Sequence, residues 1–212
     1  MNSITVINAG IPGNATADVI ARLDRITAER PDLVCLMLGT NDMLNSSKDV
    51  SLTAYRNNLL KIIERLRDAA GAVVLITIPP CIDGYLIERH GKEFFREHSP
   101  TDKIAQANAL LHEIASAHML PLVELNAALS ANKDRYLRQL SNCGEADGVH
   151  LTPDGYAVMA ALVFDCIRSN GLSSAKTICL GDSITYGVFV EGAGTDTGEC
   201  YPGQLRRLLA AE

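Results

Sequence analysis

Short runs of β-branched and aliphatic residues recur along the chain at Ile4 to Asn8, Leu33 to Leu38, Val73 to Ile78, Leu122 to Leu125 and Thr177 to Leu180. They have strand length, and the stretches between them change period. Leu59, Leu60, Ile62, Ile63 and Leu66 fall at helical spacing and run out at Gly71, and Ile104, Leu110, Leu111 and Ile114 repeat the pattern later. Thr152 followed by Pro153 predicts an N-cap and first helical residue, opening a helix that reaches about Arg168. Strands alternating with helices predict βαβ units and a buried parallel sheet. Two segments carry no clear period, Pro79 to Pro100 and Tyr186 to Cys200. Both follow predicted strands, where a parallel α/β sheet binds its ligands, so each is a candidate pocket wall or an ordinary surface loop. Ser169 to Ser174 is a polar joint leading into the last strand.

Composition narrows the picture. A chain of 212 residues, 47% hydrophobic, suffices for one sizeable core, and a single domain over residues 1–212 is expected. The formal charge of -6 and the lack of a basic run exclude a general attraction for nucleic acid or an anionic membrane. No window approaches the roughly 18 apolar residues of a membrane span, and Met1-Asn2-Ser3 leads directly into a strand; a cytoplasmic protein is the expectation. Cys35, Cys81, Cys143, Cys166, Cys179 and Cys200 show neither CxxC nor metal-type spacing and read as reduced thiols. No cofactor is implied, because GxGxxG after a strand and GxxxxGK[ST] are both missing; so is the GxSxG elbow of the α/β-hydrolases.

Four motifs fall at predicted carboxyl ends of strands or just before a helix. They are Gly181-Asp182-Ser183-Ile184-Thr185, Ala9-Gly10-Ile11-Pro12-Gly13-Asn14, Gly39-Thr40-Asn41-Asp42 and Asp147-Gly148-Val149-His150. A serine hydroxyl is a poor nucleophile until a base takes its proton, and a carboxylate fixes that base's tautomer. Ser183, His150 and Asp147 supply these types. An oxyanion needs donors already aimed at it, for which the Gly13 amide and the Asn41 side chain are suitable. Singly, each has a plainer reading: Asn41 as a turn cap, Gly13 as a positive-φ position, His150 as a structural histidine. Asp147 and His150 could also face a metal, but no further ligand stands at the right spacing and none is expected. Their convergence on one rim of the sheet favours chemistry.

These residues carry a family likeness: the chain resembles the SGNH hydrolases, the GDSL esterase/lipase superfamily, over nearly its whole length. The resemblance implies a flavodoxin-like three-layer α/β/α sandwich with a five-stranded parallel sheet. It further implies a triad of Ser183, His150 and Asp147, with an oxyanion hole from Ser183, Gly13 and Asn41. Ile184 replaces the usual leucine. The larger departure is order, since the family places its serine block first and this chain places it last. A circular permutation accounts for this, with 169–176 bridging former termini at the amino-terminal edge of the sheet. The family topology then sets the strand order as Ile4, Thr177, Leu33, Val73, Leu122. Hydrolysis of small acyl or acetyl esters through an acyl-enzyme is the implied activity, with sugar esters among the candidates. Acyl transfer, thioester or lysophospholipid cleavage, and a catalytically silent carbohydrate-binding or interaction domain are the alternatives. A monomer is expected, with a strand-swapped dimer as the rival. Tyr85, Phe94 and Phe95 either line an acyl site or staple the 79–100 segment to the core; Glu191, Asp196 and Glu199 argue against strongly anionic substrates.

Overall fold

The computed structural model describes residues 4–211. The chain runs β1 (Thr5–Gly10), α1 (Thr16–Thr27), β2 (Leu33–Met37), α2 (Thr40–Leu44), α3 (Leu52–Arg67), β3 (Ala72–Ile76), α4 (Asp83–His90) and α5 (Pro100–His118). It continues through β4 (Leu122–Val123), α6 (Leu125–Ser130), α7 (Lys133–Tyr136), α8 (Leu140–Cys143), α9 (Pro153–Ser169), β5 (Lys176–Gly181), α10 (Ser183–Tyr186) and α11 (Tyr201–Ala210).

All five strands are parallel, in the order β1-β5-β2-β3-β4. The last strand in sequence therefore lies between the first two. Counting from β5, the order becomes 2-1-3-4-5, the flavodoxin-like winding. Helices α1, α3 and α5 pack in succession on one side, while α9 packs on α11, and these meet the sheet at β4 and β1 respectively. The direction of each crossover explains the layering. Right-handed connections running from β1 towards β4 put their helices on one face, and those running back put theirs on the other.

The central strands owe their position to composition. Every residue of β2 is buried, as are Thr177 to Gly181 of β5, because helices cover both faces. Residues 169–176 sit at the amino-terminal edge of the sheet: Leu172 N–H donates to the Ile167 carbonyl, Thr5 N–H to the Ala175 carbonyl, and Lys176 N–H to Asp32 at 2.7 Å. Thr152 caps α9, accepting from Gly155 N–H, with Pro153 in its first turn.

Two local expectations change, and one open alternative is decided. The fourth strand ends at Val123, and Leu125 instead opens α6, where the Asn126 N–H donates to Thr77 and pulls the chain out of the sheet. The 79–100 segment contains helix α4, whose one fully buried residue, Leu86, gave too thin a stripe to read from sequence. Of its aromatics, Phe95 is buried and Phe94 lies edge-on to it under Lys103 Nζ, 4.1 Å from the ring centroid. Those two rings staple the segment.

Candidate active site

Ser183 is the first residue of α10, two residues beyond the carboxyl end of β5. Asp182 precedes it as N-cap and accepts the Ile184 N–H at 2.9 Å, which locks the turn and leaves the serine side chain at the sheet's rim. The turn sits against β1 so closely that a Cβ on Gly10 would lie 2.2 Å from the Tyr186 nitrogen. Only glycine allows that approach. Asn8 fastens the same loop, donating to the Tyr186 and Thr195 carbonyls while accepting the Gly10 N–H.

His150 and Asp147 arrive from the stretch before α9. The Leu137–Leu151 bridge holds that stretch, with Arg138 N–H donating to the His150 carbonyl and Gly148 N–H to the Arg138 carbonyl. Asp147 Oδ1 accepts the N–H groups of Val149 and His150 at 2.9 and 2.7 Å. Its Oδ2 lies 2.8 Å from His150 Nδ1, and His150 Nε2 lies 3.0 Å from Ser183 Oγ. Burial alone would push the Asp147 carboxyl up. The His150 hydrogen bond and charge, with the two backbone donors, outweigh it and hold the group down at about 2. An ionised carboxylate can only accept, so Nδ1 carries the imidazole proton and Nε2 is left to accept from the serine hydroxyl.

Asn41, near the start of α2, lines the cleft together with Ser183 and His150. Its side-chain amide donates one N–H to the Asn14 carbonyl at 3.0 Å, leaving a second N–H for another acceptor. That contact ties it to the glycine turn. Asn14 N–H closes on the Ile11 carbonyl around Pro12 and Gly13, and Gly13 at φ +79° fills the position where a type II turn calls for glycine. Asp42 strengthens the same junction by accepting from the Thr16 N–H and from its hydroxyl at 2.5 Å. The structure thus joins Ser183, His150 and Asp147 in one chain of hydrogen bonds, sets Asn41 on the same cleft, and fixes Gly13 beside Asn41 through Asn14.

Sequence reasoning missed two contributors. Arg22 of α1 donates to Asn14 Oδ1 and to the carbonyls of Ala9 and Gly181, clamping the glycine turn to the ends of β1 and β5. Arg89 of α4 donates to the carbonyls of Ala146 and Asp147, both at 2.8 Å. No local motif announces either; both act across elements distant in sequence. The cleft measures about 200 Å³, with Leu44, Leu86 and Val149 as apolar lining and Asn45, Arg89 and His90 as polar lining. Arg89 is the arginine in that lining, and Glu191, Asp196 and Glu199 are not among the lining residues. Tyr85, Phe94 and Phe95 do not line it either.

Comparison with known proteins places these blocks in context. The model of the GDSL-like lipase/acylhydrolase family matches residues 2–158, which takes in Gly13, Asn41, Asp147 and His150 in order and stops before Ser183. The chain is similar to an arylesterase of Vibrio mimicus, 38% identical over 80 residues, covering 36% of this chain and 38% of the relative. It is also similar to an acetylxylan esterase of Geobacillus stearothermophilus, 32% identical over 89 residues, covering 38% and 40%. The matches thus span under half the length of these two curated relatives. Among solved structures, a lipase/acylhydrolase from Enterococcus faecalis superposes with a TM-score of 0.62 at 27% identity, covering 78% of this chain and 75% of that one. With the family model matched across most of its length, the chain belongs to the GDSL-like lipase/acylhydrolase family.

Proposed function

We propose that the protein hydrolyses carboxylic esters of short acyl chains, with Ser183 as nucleophile. The observation that carries this reading is the unbroken relay from Asp147 through His150 to Ser183, with separations of 2.8 and 3.0 Å. Ser183 Oγ attacks the ester carbonyl as Nε2 of His150 takes its proton; Asp147 holds the ring in that tautomer and stabilises the imidazolium. The tetrahedral oxyanion is met by the Ser183 and Gly13 amides and the free N–H of Asn41. Collapse returns the proton to the leaving alcohol. Water then repeats the sequence on the acyl-enzyme, releasing the acid and restoring the hydroxyl.

The size of the cleft favours small acyl groups, since about 200 Å³ is below the usual range for sites that engulf larger ligands. Acetyl and other short esters, including those of sugars and phenols, fit the names of the two curated relatives. A monomer is the proposed state, and a concentration-dependent dimer in size-exclusion chromatography would contradict it. All six cysteines are unpaired, in keeping with a reducing, cytoplasmic setting. The direct test is Ser183→Ala assayed on p-nitrophenyl acetate. Turnover should vanish with an unchanged circular dichroism spectrum, and retained turnover would refute the assignment.

A further inference from the structure

We propose that Phe189 is a positioning residue for His150: its ring, backed by Arg138, keeps the imidazole in the orientation that joins Asp147 to Ser183. The inference rests on the serine-hydrolase reading above and adds to it a residue outside the four motifs.

Phe189 lies in the loop after the serine, in a four-residue turn closed by Val190 N–H donating to the Gly187 carbonyl. It occupies the third position at φ +72°, a left-handed conformation that a bulky side chain rarely adopts. The same loop places Gly187, Gly192 and Gly194 at its other positive-φ positions. A phenylalanine where glycine is the easy solution is held there by something. Burial is not the cause, because 54% of the residue is exposed.

What the ring does touch is specific. Its centroid lies 5.2 Å from that of the His150 ring at 88°, an edge-to-face pair, and the Arg138 guanidinium carbon lies 4.6 Å from the Phe189 centroid. Arg138 is itself tied to the histidine, since its backbone N–H donates to the His150 carbonyl, and its side chain pairs with Glu145. A strained, half-exposed aromatic is thus wedged between the base and the residue that carries the base's backbone. Strain kept at such a place points to function. The need is clearest in the acyl-enzyme: Ser183 Oγ is then esterified and donates no proton to Nε2, so Asp147 alone would hold the ring while water approaches. A wall beside the imidazole limits its swing throughout the cycle.

Glycine at position 189 relieves the backbone strain and removes the ring, so stability and catalysis should move apart. Phe189→Gly, and Phe189→Asn as a second residue tolerant of positive φ, are compared with wild type and Phe189→Tyr on p-nitrophenyl acetate. In the glycine and asparagine variants kcat and kcat/KM should fall together by roughly 3- to 10-fold, the worth of one aromatic pair, with Tm unchanged or raised. Phe189→Tyr should recover activity to within about twofold. Activity within twofold of wild type in the glycine variant would overturn the proposal. So would a lowered Tm accompanying the activity loss, because the ring would then be a loop anchor. Absence of wild-type turnover and of fluorophosphonate labelling at Ser183 would instead sink the underlying serine-hydrolase reading.

Discussion

Replacing Asp182 by asparagine should make the protein more stable at pH 8 and leave it nearly unchanged at pH 4. Asp182 is fully buried behind the serine. One carboxyl oxygen accepts the Ile184 N–H, while Oδ2 and the neighbouring buried Thr40 hydroxyl have no well-formed hydrogen bond among the described residues. Burial pushes the carboxyl from its ordinary 3.8 up to about 6, against the pull of the Ile184 amide, the Thr40 hydroxyl and His150. The sign follows from proton binding. Between pH 4 and 6 the folded chain holds a proton that the unfolded chain has released, so stability falls as pH rises through that interval and is flat above it. At roughly 1.4 kcal/mol per pH unit, the displacement sets about 3 kcal/mol as an upper bound on the cost of the buried charge.

The amide removes that charge, keeps an oxygen for the Ile184 N–H, and gains N–H donors that the neighbouring Thr40 hydroxyl oxygen can accept. For a chain of this length that bound corresponds to a Tm gain of at most roughly 6–12 °C at pH 8. The assay is thermal unfolding followed by circular dichroism at half-unit steps from pH 4 to 8 for wild type and Asp182→Asn. Groups remote from Asp182 titrate in both proteins and cancel in the difference, whereas Asp42 and His150, which act on the Asp182 charge, shift with it and add to the pH dependence of the gap. A Tm difference that stays constant across the range would refute the reasoning, because no buried proton would then be released between pH 4 and 6.

Two further outcomes test the neighbouring structure. Asp147→Asn should lower kcat by roughly 10³-fold or more, since the imidazole loses the partner that fixes its tautomer. It should also cost roughly 2 kcal/mol of stability at pH 7, because a carboxyl held at about 2 stabilises the fold above its ordinary 3.8. Urea midpoints taken downward in pH should show that gap closing as pH falls through about 2, and a gap independent of pH would be inconsistent with a carboxylate held ionised by the fold. Gly10→Ala puts a methyl 2.2 Å from the Tyr186 backbone nitrogen, so the serine loop must shift. A destabilisation of about 1–3 kcal/mol by urea titration is expected, together with slowed fluorophosphonate labelling of Ser183; wild-type values in both would show the approach to be looser than the structure has it.

What the sequence made legible, and what it hid, divides along a physical line. The central strands could be read because a parallel sheet covered on both faces needs unbroken apolar runs, and Leu33 to Met37 is buried at every position. The motif residues could be read because their chemistry demands particular side chains at short spacing, as when Asp147 accepts from His150 three residues on. An edge element offers no such constraint. β4 pairs on one side only, so a single donation from Asn126 to Thr77 suffices to turn Leu125 into a helix start. Arg22, Arg138, Arg89 and Phe189 are illegible for another reason: each acts through tertiary contacts alone. Arg22 spans from α1 to the Gly181 carbonyl, and Phe189 reaches His150 only because β5 has been threaded between β1 and β2. Sheet order is therefore the step that converts motifs into a site. Once β5 lies beside both β1 and β2, the serine turn, the glycine turn and the asparagine helix must emerge at adjacent strand ends whatever their order in the chain.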